Sequence, residues 1–156
     1  MAPDGGGGAI AAWIDAAAVH AQRVTASGSV AAGWDPNGLL VGAGSAYAFP
    51  PAIASDGSGG AVVAWSDSTG ALYVQRLTDS GAVAPGWSPG PLLVSTSADA
   101  ILGSGLRPAL APDGEGGAYL AWADARSPLG ADIYAQHLTA TGTIASGWLA
   151  GGSPID

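Results

Sequence analysis

One block of sequence is written three times in this chain, and that repetition limits the fold more than any other feature. Asp4-Gly5, Asp56-Gly57 and Asp113-Gly114 each open a glycine-rich turn. After each turn comes Gly-Ala and a short apolar run ending in tryptophan: Ala9 to Trp13, Ala61 to Trp65 and Ala118 to Trp122. An acid stands two residues past each tryptophan, at Asp15, Asp67 and Asp124. Gln22-Arg23, Gln75-Arg76 and Gln136-His137 follow, then Ser27-Gly28, Ser80-Gly81 and Thr141-Gly142, then Gly33-Trp34, Gly86-Trp87 and Gly147-Trp148. A period of about 55 residues belongs to stacked or ring-forming repeat units. The second interval is longer than the first, and the excess falls in Ser95 to Arg107 and Ala125 to Ala131, so these are read as variable loops on a constant frame.

Within the frame the local pattern is strand-like. Ala61 to Trp65 is apolar and β-branched between Gly-Gly and Ser-Asp; Leu72 to Thr78 alternates and stops at Asp79-Ser80-Gly81. Pro91 to Ser95 and Pro51 to Ser55 are two further short runs bounded by turn residues. Ala11 to Ala26 is alanine-rich, but it aligns with Ala64 to Asp79 and Ala121 to Ala140 and is read as strand. Four strands per repeat predict an all-β chain of three four-stranded β-propeller blades, at residues 1–48 (first strand shortened), 49–105 and 106–156. A sandwich or β-solenoid is the alternative, and a sandwich does not ask for the same tryptophan and turn three times. Three blades do not close a ring of the usual four to eight, so the expectation is a homodimer of six blades in total.

The pattern Asp-Gly-x-Gly-Gly-Ala, Trp-x-Asp, Tyr-x-Gln-Arg/His-Leu and Gly-Trp resembles the repeats of large secreted bacterial β-propeller proteins, and more distantly the Asp-box repeats of sialidase-type propellers. Asp113 to Thr139 is its fullest instance. The resemblance covers the whole chain. It implies a propeller architecture and an extracellular or cell-surface setting in the parent protein. The opening Met1-Ala2-Pro3-Asp4 and its glycines lack the basic start and apolar core of a secretory signal.

Composition narrows the function. With no lysine, four arginines and a net charge of -8, the chain repels phosphate backbones and anionic membranes; neither nucleic acid nor membrane is an expected partner. It has no cysteine, and His20 and His137 stand in different repeats, so no metal and no cofactor is expected. A sialidase-type glycosidase needs an arginine cluster and a Tyr–Glu pair, but the one glutamate, Glu115, lies in a turn. The expected function is therefore a non-enzymatic propeller fragment or scaffold that assembles with itself for protein or ligand interaction.

The alternative is a multivalent, lectin-like, carbohydrate-binding propeller. Its candidate ligand residues are Trp34, Trp87 and Trp148, aromatics after glycine in loop-like contexts, with Asp15, Asp67, Asp124 and Arg126. Each has a plainer role: the tryptophans can pack over the blade edge, and the acids can cap turns or pair with arginine, Arg126 being the local candidate for Asp124. Asp4, Asp56 and Asp113 are read as turn formers through side-chain-to-backbone hydrogen bonds, rather than as calcium ligands.

Overall fold

A computed structural model describes residues 1–43, 50–96, 107–127 and 130–155. These residues form twelve strands: β1 (Ala2–Pro3), β2 (Ala9–Asp15), β3 (Ala18–Val24), β4 (Leu39–Ala43), β5 (Ala52–Ser55), β6 (Ala61–Ser66), β7 (Leu72–Leu77), β8 (Leu92–Ser95), β9 (Ala109–Pro112), β10 (Ala118–Ser127), β11 (Gly130–Leu138) and β12 (Ser153–Pro154). They make three antiparallel sheets of four strands each, in the orders β1-β2-β3-β4, β5-β6-β7-β8 and β9-β10-β11-β12. Each sheet is a simple meander, and each is one copy of the sequence repeat. The expected boundaries at 48/49 and 105/106 lie outside the described residues, as does most of Ser95 to Arg107. Among the described residues no helix is long and apolar enough to cross a membrane.

The sheets stack face to face. β5 lies against both β1 and β9, so the first strands of the three sheets run side by side. The middle sheet is covered on both faces, and all six residues of β6 are buried. Alternation along β6 and β7 divides the burial between two cores. Ala61, Val63, Trp65 and Leu77 pack with Ile10, Val19, Ala21 and Val41 of the first sheet. Val62, Ala64, Leu72 and Val74 pack with Ala118, Leu120, Trp122 and Leu138 of the third. A strand buried on both faces reads as a continuous apolar run, which is why Ala61 to Trp65 shows no polar positions.

Ala125 to Ala131 departs from the expected loop. Ala125 to Ser127 and Gly130 to Ala131 are strand: β10 and β11 extend past the repeat frame, through an irregularity between Asp124 and Ser127. The extra residues lengthen the two strands of this hairpin, and Ser127 pairs with Gly130 beyond the irregularity. The matching hairpins differ in build. β2 and β3 are joined by Ala16 and Ala17, both at positive φ. β6 and β7 are joined by a turn in which the Asp67 carboxylate accepts from Thr69 N, Thr69 Oγ1 and Ala71 N at 2.8, 2.6 and 3.1 Å.

Candidate functional site

The Asp-Gly turns position the groups that join one sheet to the next. In each, one aspartate oxygen accepts two backbone N–H groups: Asp4 from Gly6 and Gly8, Asp56 from Ser58 and Gly60, Asp113 from Glu115 and Gly117, at 2.7–2.9 Å. The other oxygen meets a basic side chain of the repeat: Arg23 at 3.0 Å, Arg76 at 2.9 Å and His137 at 2.9 Å. The Gly6 amide, with Arg23, holds Asp4 below the usual carboxylate range against the cost of burial. Burial pushes Asp113 upward, but His137 and the turn amides outweigh it and lower its pKa.

Each arginine then reaches across to the next sheet. Arg23 Nη1 donates to the Asp79 carbonyl at 3.0 Å, and Trp34 Nε1 donates to the same oxygen at 2.8 Å. Arg76 Nη1 and Trp87 Nε1 converge in the same way on the Ala140 carbonyl, at 2.8 and 3.0 Å. The junction is thus a clasp: an aspartate-anchored arginine and an indole on one sheet, and a single backbone oxygen on its neighbour. A carbonyl has two lone pairs and accepts both donors.

These clasps fix the roles of the candidate ligand tryptophans. Trp34 and Trp87 are 5% and 8% exposed, with their rings inside the cores between sheets. They present no ring face for a sugar, because the next sheet covers the loop that looks open in sequence. Trp148 is half-buried, with no sheet beyond it; it lies at 6.2 Å from the rings of both Tyr119 and His137.

The three acids after the first tryptophans have three fates. Asp15 is exposed at the end of β2. Asp67 caps its turn and accepts from Tyr73 Oη at 3.2 Å. Burial raises its pKa, but the Thr69 and Ala71 donors outweigh this and hold it low. Asp124 is fully buried between the second and third sheets. It accepts from Ser95 Oγ at 3.0 Å, Trp122 Nε1 at 2.9 Å and Arg126 Nε and Nη2 at 2.8 and 2.6 Å. Burial opposes its charge, yet these donors hold the carboxyl far below its ordinary value, and Asp124 in turn raises Arg126.

Arg126 lies 4.0 Å over the Tyr134 ring and donates to the Gly151 carbonyl at 2.6 Å. Beside it Leu93, Val94, Ser95, Thr96, Ala150 and Gly151 line a shallow cleft of about 440 Å³. Within that cleft the guanidinium is paired with Asp124 and its plane is stacked on the Tyr134 ring. The arrangement bridges two sheets; it does not present a free charge to a ligand. Asp124 and Arg126 are therefore brought together, whereas Trp34 and Trp87 lie at two different junctions and Asp15, Asp67 and Trp148 lie apart from them.

Arg23 and Arg76, with their acceptors at Asp79 and Ala140, are the functional residues that a single repeat does not reveal. The signal for them was the recurrence of Gln-Arg after the first two Asp-Gly turns, with Gln-His after the third. The acceptor is invisible in sequence because any residue has a carbonyl.

The two outer faces of the stack repeat the inner ones without a cover. On the first sheet Ala9, Ala11 and Trp13 are half-buried and Val24 is 36% exposed; their counterparts Ala61, Val63, Trp65 and Leu77 are at 0–1%. On the third sheet Tyr119 and Ile133 are 44% and 43% exposed, against 0% and 1% for Val62 and Leu72. Compared with known proteins, the chain matches no family model, no curated protein and no solved structure.

Proposed function

We propose that the chain is a non-enzymatic β-propeller module whose sheets are blades and which closes a ring with a second copy of itself. The observation that carries this reading is the unequal burial of equivalent residues: Trp65 is 1% exposed and Trp122 3%, while Trp13 in the same frame is half-buried on an open face. Each open face carries apolar side chains at the frame positions that are covered at the inner junctions. A ring satisfies both faces at once, because one is the head and the other the tail of the same repeat. Two copies supply six blades, within the range that propellers adopt.

The non-catalytic part of the proposal rests on how the polar groups are used. Asp4, Asp56 and Asp124 each hold an arginine, Asp113 holds the His137 ring, and all four accept at least one backbone amide, so their oxygens are engaged in holding turns and junctions. The resemblance of the repeat to secreted bacterial propellers points to an extracellular setting for such a module.

Light scattering tests the reading. A folded species at twice the 15.0 kDa chain mass is expected; a stable, folded single chain at micromolar concentration overturns it.

A further inference from the structure

Two places on the open faces are more specific than apolar surface. Inside the molecule each Gly-Trp pair docks onto the turn of the next sheet. A Cβ at Gly33 would stand 2.8 Å from the Ser80 carbonyl oxygen, and one at Gly86 would stand 2.9 Å from Thr141 Cβ. In return, a Cβ at Gly81 would stand 3.3 Å from the Trp34 ring, and one at Gly142 would stand 2.8 Å from the Trp87 ring. Glycine is needed on both sides because the turn backbone and the indole touch there. At the open ends the same two positions have no neighbour. Gly147 has nothing within 4 Å of a Cβ, and neither has Gly28, although their φ values of 88° and 81° match the inner pairs.

Resting on the self-assembly reading, we infer that Gly147-Trp148 is a hook and the Thr25 to Gly28 turn is its seat on a second copy of this chain. By the pattern of the filled junctions, the Trp148 ring lies on Gly28, Gly147 lies against Ser27, and Trp148 Nε1 donates to the Ala26 carbonyl. The occupant is a second copy because hook and seat are both carried by this chain and each reproduces the partner of the other at two inner junctions.

This junction is not a plain copy of the inner ones. The cross-strand pairs Ile10↔Arg23 and Val62↔Arg76 become Tyr119↔His137 in the third sheet. The shorter imidazole stays on Asp113, and the Tyr119 ring stacks on it at 4.2 Å, filling the volume the arginine would take. The clasp there has one donor, Trp148, in place of two.

Gly28→Asn and Trp148→Ala test the inference on the full chain, with light scattering for mass and circular dichroism for fold. Asn tolerates positive φ, and the single chain has room for it at Gly28, so that variant keeps its turn. Gly57→Asn is the control, at φ 77° with the same open space but in the middle sheet. The expected result is a halved mass for Gly28→Asn and Trp148→Ala, with unchanged β-sheet signal, and wild-type mass for Gly57→Asn. Mixing the two dissociated variants restores association, since one keeps the hook and the other the seat. If both variants stay at twice the chain mass, hook and seat are overturned while self-assembly stands. If the wild-type chain is itself single, the self-assembly reading falls first and the hook with it.

Discussion

Trp34 on the first sheet donates its indole proton to the main-chain oxygen of Asp79 on the second, at 2.8 Å and 45 residues away in sequence. Arg23 shares that oxygen. A long-range junction is thereby held by a backbone atom, so its strength depends on the donors and not on which side chain Asp79 carries.

Removing the donors should loosen the stack. Trp34→Phe keeps most of the packing and loses one hydrogen bond, at a cost of about 1 kcal/mol. Trp34→Ala also empties the core position and costs about 3–5 kcal/mol. Urea denaturation followed by tryptophan fluorescence and circular dichroism measures both. Asp79→Ala should be close to neutral by the same measurement.

Acid should weaken the fold through its aspartates. Asp4, Asp67, Asp113 and Asp124 all have folded-state pKa values below the ordinary 3.8. The unfolded chain therefore takes up protons first as pH falls, and the stabilisation present above about pH 4 is lost as pH falls through the lowered values. Asp124→Asn should cost about 2–3 kcal/mol at pH 7, because Arg126 and Trp122 lose a charged acceptor. It should also make the acid limb of a stability–pH curve shallower than in the wild-type protein.

The β2–β3 turn holds strain that substitution can release. Ala16 and Ala17 sit at φ 54° and 134°, where a Cβ crowds its own backbone. Changing the pair to Asn-Gly suits a two-residue hairpin and should stabilise the chain by about 1 kcal/mol. A thermal melt that moved downward would show that the turn prefers alanine for another reason.

Gly42 is the floor under a tryptophan. A Cβ there would stand 2.6 Å from the Trp65 ring, whose Nε1 donates to the Ala43 carbonyl at 2.7 Å. Gly42→Ser should displace the indole and cost about 1–3 kcal/mol by overpacking. Near-ultraviolet circular dichroism should lose part of its tryptophan signal even where the protein remains folded.

Much of the architecture can be read from the repeat. The recurring turn, apolar run and Gln-Arg step mark strands within a residue or two of where they fall, since local chemistry decides them. Ala11 to Ala26 shows pattern overriding propensity: alanines that favour helix are held in β2 and β3 by the pairing of these strands with each other and of β3 with β4. The destinations of Trp34 and Trp87 were not legible, because exposure depends on a turn from another repeat. Nor did the aligned Asp15, Asp67 and Asp124 announce three different roles. Those roles follow from hairpins of unequal length, which the repeat frame leaves free.

The Gly42 position has one more consequence. At the first junction Gly42 admits the Trp65 ring and Pro91 flanks it. At the second, Ser95 stands in the place of Gly42 and bonds Asp124, while the Trp122 ring lies over Gly152 of its own sheet. The two interfaces are cut like different keys, although one repeat built both. A chain with its three units reordered would keep its strands and its composition, yet Trp65 would lose the gap at Gly42 and Asp124 would lose the Ser95 hydroxyl.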